Sequence, residues 1–346
     1  MRTKQKMLCA ANEATKPLPG NENFLSDTAD LFLGQNRGHM GKHMYADHDG
    51  KMGDQRMSGS FLWEIISNDF PRYYVSHSDT VLIKNISGKI KEFIPCGLPF
   101  IDLGPGSYDS VANKSLALVR DLKSNIYMPV DISQHFLDEA IVSAGKSMPL
   151  LPTLIQQADF FSPQWRHGLE GEVCAFLGGS TISNLEGTTA PGTIDRNLPG
   201  VMSSLARSLR GGWLLVTYDG NESESHLRQM YEYPTNRLFI LNVFFRMLEE
   251  LPICHFNPTA FEYEMCWIPH EHQVAHLAVC MEDMNFLLDG RWFHLRRGQK
   301  LHLLNSYKFP SGKLESMAQT CGWSVVKTFT DDESPLCLAL LRSHMA

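Results

Sequence analysis

The stretch Phe100-Ile101-Asp102-Leu103-Gly104-Pro105-Gly106-Ser107 is an apolar segment that runs into a glycine turn. Further along the chain, a second apolar segment, 127–130, ends at Asp131. A strand, a glycine turn and a second strand that ends in a carboxylate form the nucleoside-binding frame of a doubly wound α/β domain. This pattern therefore predicts a parallel sheet with a small-molecule cofactor at the carboxyl ends of its strands.

Short apolar segments alternate with helical segments between about residues 98 and 220. Alternation of this period is typical of right-handed βαβ units and of a parallel sheet. Strands are predicted at 99–103, 126–130, 150–155, 173–177 and 213–217, with helices at 109–123, 133–144 and 200–209.

After residue 222, the strand–helix alternation ends and the sequence pattern is different. One long helix is predicted at 222–251, followed by β-like segments, a helix near 312–321 and a closing hairpin. A terminal antiparallel hairpin on a parallel sheet is typical of class I methyltransferases and is usually absent from dehydrogenase folds. The β-like segments are 260–267, 273–280 and 300–304, and the hairpin strands are 323–329 and 336–341.

Length and composition limit the classes of function. With 346 residues, the chain is long enough for two domains or for one domain with a large insertion, and 43% hydrophobic and 20% charged residues are typical of a globular protein. A net charge of −7 gives no electrostatic reason to expect a nucleic-acid partner. A small-molecule substrate is therefore expected, and the oligomeric state is left open.

The sequence also bears on location. No apolar run approaches 18 residues, so no membrane partner is expected. The eight cysteines are scattered without a Cys-x-x-Cys pair, which suits reduced thiols and a cytoplasmic protein. His270, His272 and His276 would share one face of a strand, but they follow Pro269 in a turn-like segment and no metal is predicted.

The glycine turn and its distant acid indicate the class of cofactor. Gly104 and Gly106 place no Cβ where a ligand would approach the backbone, although a tight turn needs glycines without any ligand. Asp131 is placed to accept hydrogen bonds from both hydroxyls of a ribose. A missing third glycine and the lack of a basic residue in the turn count against NAD(P), so S-adenosylmethionine (SAM), with S-adenosylhomocysteine (SAH) as its product, is predicted.

Three further residues complete the predicted cofactor site. Asp102 ends the first strand beside the glycine turn. Asp159 follows the third predicted strand and could accept the adenine amino group, while the ring of Phe160 flanks the base. The alternative for Asp159 is a helix N-cap.

Several motifs of this chain resemble those of one family. They are Gly59 to Trp63 with Pro71 to Tyr74, Tyr127 to Ser133, Phe176 to Leu185, the spacing of eleven from Tyr231 to Asn242, and Ser306 to Phe309. The family comprises histidine-specific, SAM-dependent N-methyltransferases, including the enzyme that trimethylates histidine in ergothioneine synthesis and the fungal dimethylallyltryptophan N-methyltransferases. The resemblance extends from about Gly59 to Leu341.

The resemblance implies roles for individual residues. Asn184 and Tyr231 would be the catalytic pair, which holds the α-amino and α-carboxylate groups of an amino acid. Trp63 and Tyr73 would bring aromatic rings to the substrate, and Ser306 would also line its pocket.

Two departures from the family pattern concern the substrate side chain. Leu304 stands where the family's histidine enzymes have a glutamate that binds imidazole, and Ala275 stands where they have a methionine. Both would line a roomier and less polar pocket, suited to an indole or another long side chain. Histidine remains the family default; methylation of a side-chain nitrogen, such as an arginine guanidine, and an inactive SAM-binding protein are the alternatives.

These features predict a class I, Rossmann-like methyltransferase core with a second, discontinuous lobe. The core would comprise 82–218 and 306–346, and the substrate-binding lobe 58–81 and 219–305. An irregular N-terminal arm is expected at 1–57, which is rich in polar residues and glycine. The substrate pocket would lie between core and lobe.

Overall fold

The computed structural model describes residues 23–35, 38, 40–162, 165–184 and 194–344. Its helices are α1 Phe24–Phe32, α2 Gly41–Met44, α3 Gly59–Ser67, α4 Tyr74–Ile90, α5 Tyr108–Ser110, α6 Leu116–Asp121, α7 Gln134–Ser147, α8 Ile194–Leu209, α9 Glu224–Tyr231, α10 Pro234–Glu250 and α11 Lys313–Thr320. A π-helical turn, Val111–Ser115, joins α5 to α6, and short 3-10 turns lie at Thr181–Asn184 and Pro269–Glu271.

The strands form one large sheet and three small ones. They are β1 Lys51–Met52, β2 Gln55–Arg56, β3 Phe100–Leu103, β4 Tyr127–Asp131, β5 Gln156–Gln157, β6 Cys174–Leu177, β7 Trp213–Asp219, β8 Ile253–Cys254, β9 Phe261–Ile268, β10 Gln273–Cys280, β11 Met284–Leu288, β12 Arg291–Leu295, β13 Lys300–Tyr307, β14 Trp323–Asp331 and β15 Ser334–Ser343.

The large sheet has the strand order β14-β15-β7-β6-β3-β4-β5. Its strands β3 to β7 are parallel, whereas β15 is antiparallel to both β7 and β14. The last strand of the chain thus lies between β7 and β14, which is the arrangement that the terminal hairpin predicted. The predicted α/β fold, with a class I methyltransferase core, is confirmed.

The parallel strands are apolar because both faces of the sheet are covered. Every residue of β3, β4, β6 and β7 is buried. Alternate side chains enter separate cores: Ile101 and Leu103 pack on one face, and Phe100 packs on the other. This burial keeps the carboxyl ends of β3 and β4 in a fixed position next to each other.

Two predicted elements differ from the structure. The predicted strand at 150–155 is not formed: this segment has only an isolated bridge from Thr153 to Tyr127, and the short β5 follows at Gln156–Gln157. Pro152 lies inside the apolar run and lacks the N–H that a sheet ladder needs. The predicted helix at 222–251 is divided into α9 and α10. Pro234 is the first residue of α10, where its ring fits a helix start but prevents one from continuing through it.

Two small antiparallel sheets, β9-β10-β13 and β8-β11-β12, pack against α10, and we use the name second lobe for these sheets with α10. Their shared core is rich in aromatic rings. Phe244 of α10 stacks on Phe261 of β9, with ring centroids 4.1 Å apart. This apolar core holds α10 and the face of β10 that bears part of the candidate site.

The described residues between 23 and 57 correct the prediction of an irregular arm; residues 1–22, 36, 37 and 39 of that predicted arm lie outside the described part of the chain. Helix α1 buries Phe24, Leu31 and Phe32 in the core of the second lobe. Met44 follows in α2, and its carbonyl accepts a hydrogen bond from Nδ2 of Asn242 at 3.2 Å. The apolar residues of α1 have helical spacing, but a polar composition around them hides it.

None of the described helices is both long and apolar enough to cross a bilayer. The cysteines depart from the sequence expectation at one residue, because Cys254 is disulfide-bonded. The free thiols among the described residues are Cys96, Cys174, Cys266, Cys280, Cys321 and Cys337.

Candidate active site

The glycine turn opens onto a cavity of about 260 Å³. Gly104 and Gly106 have φ angles of +75° and +72°, which L side chains rarely adopt. A Cβ on Gly104 would lie 3.6 Å from Cζ of Phe160, so the ring predicted to flank a base lies beside the turn. Residues of α3 and α4, among them Trp63, form the opposite wall of the cavity.

Asp131 is the last residue of β4 and is buried. Its Oδ1 accepts a hydrogen bond from the backbone N–H of Ser133 at 2.8 Å. Burial raises the pKa of Asp131 to about 7, and the nearby Asp47 carboxylate adds to the rise. Hydroxyl donors from a ligand would therefore stabilise the ionised form of this acid.

Asp102, next to the last residue of β3, lines the cavity onto which the glycine turn opens. It accepts a hydrogen bond from Oη of Tyr127 at 2.7 Å, across neighbouring parallel strands. Burial raises the pKa of Asp102 to about 6, although hydrogen bonds from Ser115 and Tyr127 act in the opposite direction.

Asp159 makes a local contact. Its Oδ1 accepts a hydrogen bond from the backbone N–H of Phe161 at 2.9 Å, as expected for a turn-forming aspartate. Phe160 and Phe161 pack edge to face, with ring centroids 4.7 Å apart. No helix follows Asp159, so the alternative of a helix N-cap is wrong; residues 160–162 form a turn, and Asp159 bonds to the backbone of that turn.

Lys114 and Asp79 form a buried ion pair in this region that sequence reasoning missed. Nζ of Lys114 lies 3.0 Å from Oδ2 of Asp79, which also accepts the backbone N–H of Gly179 at 2.8 Å. Lys114 lines the cavity and Asp79 comes from α4, so the pair joins the core to the helix across the cavity. No local motif identifies a partner 35 residues away.

The residues present fit a nucleoside cofactor that carries no phosphate. The glycine turn leaves room for close approach to the backbone, and Asp131 is an acceptor beside it. The cation that lines the cavity, Lys114, is already paired with Asp79. A ribose, rather than a pyrophosphate, suits this arrangement.

Asn184 connects three parts of the chain. Its Nδ2 donates to Oη of Tyr45 at 3.0 Å, and its Oδ1 accepts from Oγ of Ser306 at 3.0 Å. The structure thus brings together Asn184 and Ser306, both predicted as substrate residues. It adds Tyr45, which lay in the segment predicted to be irregular.

Tyr231 is held by a buried ion pair. Nζ of Lys308 donates to Oη of Tyr231 at 3.1 Å and to Oδ2 of Asp219 at 2.6 Å. Burial lowers the pKa of Lys308, but the Asp219 carboxylate and Tyr231 outweigh this effect and hold it above its ordinary value. Oη of Tyr74 also donates to Asp219, at 2.6 Å. Tyr231 therefore projects from a fully paired charged cluster.

Trp63 and Tyr73, the two aromatic residues predicted to contact the substrate, belong to one aromatic cluster. Their ring centroids lie 5.3 Å apart, edge to face. Tyr45 lies 5.2 Å from Trp63 and 5.0 Å from Phe239 of α10. Because Trp63 also lines the cavity, the aromatic cluster adjoins the glycine turn.

The strand register separates Ala275 from the other predicted substrate residues. In the β10–β13 pair, Leu304 lies opposite His276 and Asn305 lies opposite Ala275. Side chains alternate between faces, so Leu304, Ser306 and His276 share one face while Ala275 faces the other way. Nε2 of His276 lies 3.0 Å from Oγ of Ser306. His276 therefore occupies the position at the site that sequence reasoning gave to Ala275.

Within the described ranges, no group of three or more histidine, cysteine, aspartate or glutamate residues is arranged to hold a metal ion. Two of the histidines considered in the sequence have other partners. Nδ1 of His272 lies 2.5 Å from Oε1 of Glu222, and Nδ1 of His276 lies 2.8 Å from Oη of Tyr263.

The sheet and the glycine turn define the class as a class I methyltransferase. The sequence model of the histidine-specific, SAM-dependent methyltransferases matches residues 54–343, and the chain belongs to this family. SAM is accordingly its cofactor, and the protein is a SAM-dependent methyltransferase.

The chain is similar to several known proteins. It is 27% identical over 298 residues to an uncharacterized protein, y4iF, of Sinorhizobium fredii, covering 80% of this chain and 96% of that one. It is 22% identical over 300 residues to the N-methyltransferase imqF of Aspergillus flavus, covering 81% and 79%. Among solved structures, magnesium protoporphyrin IX methyltransferase from Synechocystis PCC 6803 with bound SAH aligns with a TM-score of 0.43 and 12% identity, over 82% of this chain and 94% of that one.

Proposed function

We propose that the protein transfers a methyl group from SAM to a nitrogen of a free amino acid or a close derivative. One observation carries the proposal: Asn184 and Tyr231, the expected anchors of the amino and carboxylate groups, are joined by contacts through Ser306 and His276. An amide and a phenol can bind an amine and a carboxylate without protonating the amine that must attack.

The proposed reaction is an in-line displacement. SAM supplies an electrophilic methyl group on its sulfonium, and a neutral amine must be held close to that carbon in a dry pocket. Asn184 and Tyr231 would orient the amino acid. The aromatic cluster around Trp63 and Tyr45 would exclude water, because its rings pack on one another and Tyr45 also contacts Asn184.

We assign the cofactor contacts to the edge of the large sheet. The backbone at Gly104 and Gly106 would approach the methionyl part, and Asp131 would accept the ribose hydroxyls. Phe160 would flank the adenine and Asp159 would accept its amino group. The ordered packing of Phe160 beside Gly104 supports this assignment.

We propose an aromatic or other long apolar side chain for the amino acid. Leu304, at the position of the family glutamate, cannot accept an imidazole N–H, and it is buried among apolar residues of the second lobe. Its register places it on the same face as Ser306. The substrate-binding lobe would comprise 58–81 and 219–305, with residues 24–46 now added to it.

A transfer assay tests the proposal. Protein with methyl-labelled SAM is incubated with L-tryptophan, L-tyrosine, L-histidine and L-arginine in separate reactions. We expect label on at least one amino acid, with an aromatic side chain preferred over histidine. SAH binding without label transfer to any amino acid would instead indicate a binding protein that has lost turnover.

A further inference from the structure

His276 is a buried, polar residue that the proposed reaction does not use. It lies in β10 and is 1% exposed. Its ring packs edge to face on Tyr231 with centroids 4.8 Å apart, and its Nε2 lies 3.0 Å from Oγ of Ser306. His276 therefore touches both proposed substrate anchors, Tyr231 directly and Asn184 through Ser306.

The hydrogen bonds around His276 run in one direction. Oδ1 of Asn184 is an amide oxygen that can only accept, so the single hydroxyl hydrogen of Ser306 is donated to it. Oγ of Ser306 must then accept from Nε2 of His276, which leaves Nδ1 to accept from Oη of Tyr263 at 2.8 Å. In this series of hydrogen bonds, each group therefore donates in the direction from Tyr263 towards Asn184.

The charge state of His276 agrees with this direction. Burial, together with the smaller effects of the His302 and Lys308 charges, lowers the pKa of His276 to about 3. The imidazole is therefore neutral at physiological pH and carries a single N–H, on Nε2. A neutral ring with one hydrogen can support only one orientation of the Ser306 hydroxyl.

We propose that His276 is a positioning residue, which fixes the carboxamide of Asn184 for the substrate amino group by directing the Ser306 hydroxyl. The inference rests on the proposed function, because it concerns the same site. Asn184 also donates to Tyr45 at 3.0 Å, which leaves a second Nδ2 hydrogen and a second Oδ1 lone pair for a ligand. Without the Nε2–H of His276, the Ser306 hydroxyl can rotate and both groups on Asn184 lose their fixed direction.

A set of variants separates positioning from packing. His276→Met removes the donor, whereas His276→Gln retains an N–H at the position of Nε2. Leu301→Ala is the control, because Leu301 is also buried in the apolar core of these sheets but lies opposite Ala278, away from Ser306. Each is assayed for kcat and KM with the amino acid that the wild type methylates fastest, and for SAH affinity by calorimetry.

The expected result is a change in KM for the amino acid. His276→Met should raise this KM about tenfold, the size of one lost hydrogen bond, with SAH affinity unchanged. His276→Gln should recover most of the loss, and Leu301→Ala should leave KM within about twofold of the wild type. A KM that is equal in His276→Met and Leu301→Ala would overturn the proposal, as would equal losses in His276→Met and His276→Gln.

Nuclear magnetic resonance of the wild type provides a readout that depends neither on turnover nor on the folding of the His276→Met variant. In the full chain with ¹⁵N-labelled histidine, the ring signals of His276 are identified by their absence in His276→Gln. We expect a protonated Nε2 and a bare Nδ1 at neutral pH; the opposite tautomer or a charged ring would refute the hydrogen-bond direction.

The two proposals fail separately. A wild type that binds SAH but methylates no amino acid contradicts the proposed function. An active wild type whose KM is insensitive to His276→Met contradicts the positioning role alone.

Discussion

The cofactor edge and the substrate site are built from the chain in different ways. Gly104 directly follows β3 and Asp131 ends β4, and these two consecutive strands are parallel neighbours in the sheet. Asn184 instead bonds to Tyr45, 139 residues away, and to Ser306, 122 residues away. The first site is a property of one βαβ unit, whereas the second exists only when the core, the second lobe and the N-terminal residues pack together.

The two sites also differ in their charge. The cofactor edge has buried acids, Asp102 and Asp131, whose pKa values are raised by burial. The substrate site holds its buried charges as a pair, Lys308 with Asp219, and otherwise uses neutral groups. The affinity for the cofactor should therefore depend on pH. The geometry of the substrate site should instead depend on the ion pair between Lys308 and Asp219.

The largest expected effect is a loss of folding stability when the ion pair between Lys308 and Asp219 is broken. Lys308→Met leaves Asp219 buried without its cation, which should lower the free energy of unfolding by ~3 kcal/mol in chemical denaturation. Lys300→Met is the matched control, because Lys300 pairs with Glu264 at the surface and its loss should cost less than ~1 kcal/mol. Equal losses in the two variants would show that the Lys308 pair does not organise the site.

Asp131→Ala should affect only the cofactor edge. Loss of an acceptor for two ribose hydroxyls should weaken SAH binding about a hundredfold or more in calorimetry. The control is Asp138→Ala, which removes an exposed aspartate from the neighbouring helix α7. An SAH affinity within twofold of the wild type would mean that Asp131 does not hold the ribose.

Tyr231→Phe should affect only the substrate site. Removing the hydroxyl that Lys308 contacts should raise KM for the amino acid about tenfold and leave SAH affinity unchanged. Tyr233→Phe removes a nearby buried hydroxyl that has no hydrogen-bond partner in the structure, so it should leave KM unchanged. If Tyr231→Phe left both substrate affinity and turnover unchanged, its assignment would be wrong.

The smallest expected effect is a pH dependence at the cofactor edge. Asp131 has a pKa of about 7 in the folded protein against an ordinary value of 3.8. The ionised form accepts ribose hydroxyls better, so SAH affinity should fall as the pH drops below 7, by at most about tenfold per pH unit. Asp131→Asn should remove this slope in calorimetry, and a slope that persists would assign it to another group.

The raised pKa of Asp131 also makes the stability of the folded protein depend on pH. Between pH 4 and pH 7, roughly, the folded protein without cofactor keeps a proton on Asp131 that the unfolded chain has lost. The stability of the wild type should therefore fall as the pH rises through this window. Thermal melts of Asp131→Asn should show a shallower decline than melts of the wild type.

The sequence was sufficient to predict that Gly104 and Asp131 lie at the carboxyl ends of neighbouring parallel strands, because the signals are local. Strand, turn and acid follow one another from Phe100 to Asp131, and parallel strands bring their carboxyl ends to one edge. Helix α1 was missed because Phe24 and Leu31 lie among polar residues whose composition resembles that of a loop. Its buried face is visible only once the second lobe is present to cover it.

The residue pair Ala275 and His276 shows a second limit of prediction from sequence: Ala275 was predicted to line the pocket, but His276 shares the face of Leu304 and Ser306. The β10–β13 pair has an irregularity between His276 and Leu277, so the register on either side of it differs. A slip of one residue moves a side chain to the opposite face of a sheet. Sequence spacing alone could not decide which of two adjacent residues faces Ser306.

The most direct test of the account is a single-turnover methyl transfer by the wild type and by Asn184→Ala, with equal cofactor loading confirmed by SAH calorimetry. Asn184 belongs to the substrate site alone, so the variant should bind SAH as tightly as the wild type and methylate the amino acid about a hundredfold more slowly. Equal rates of methyl transfer in the two proteins would contradict the account.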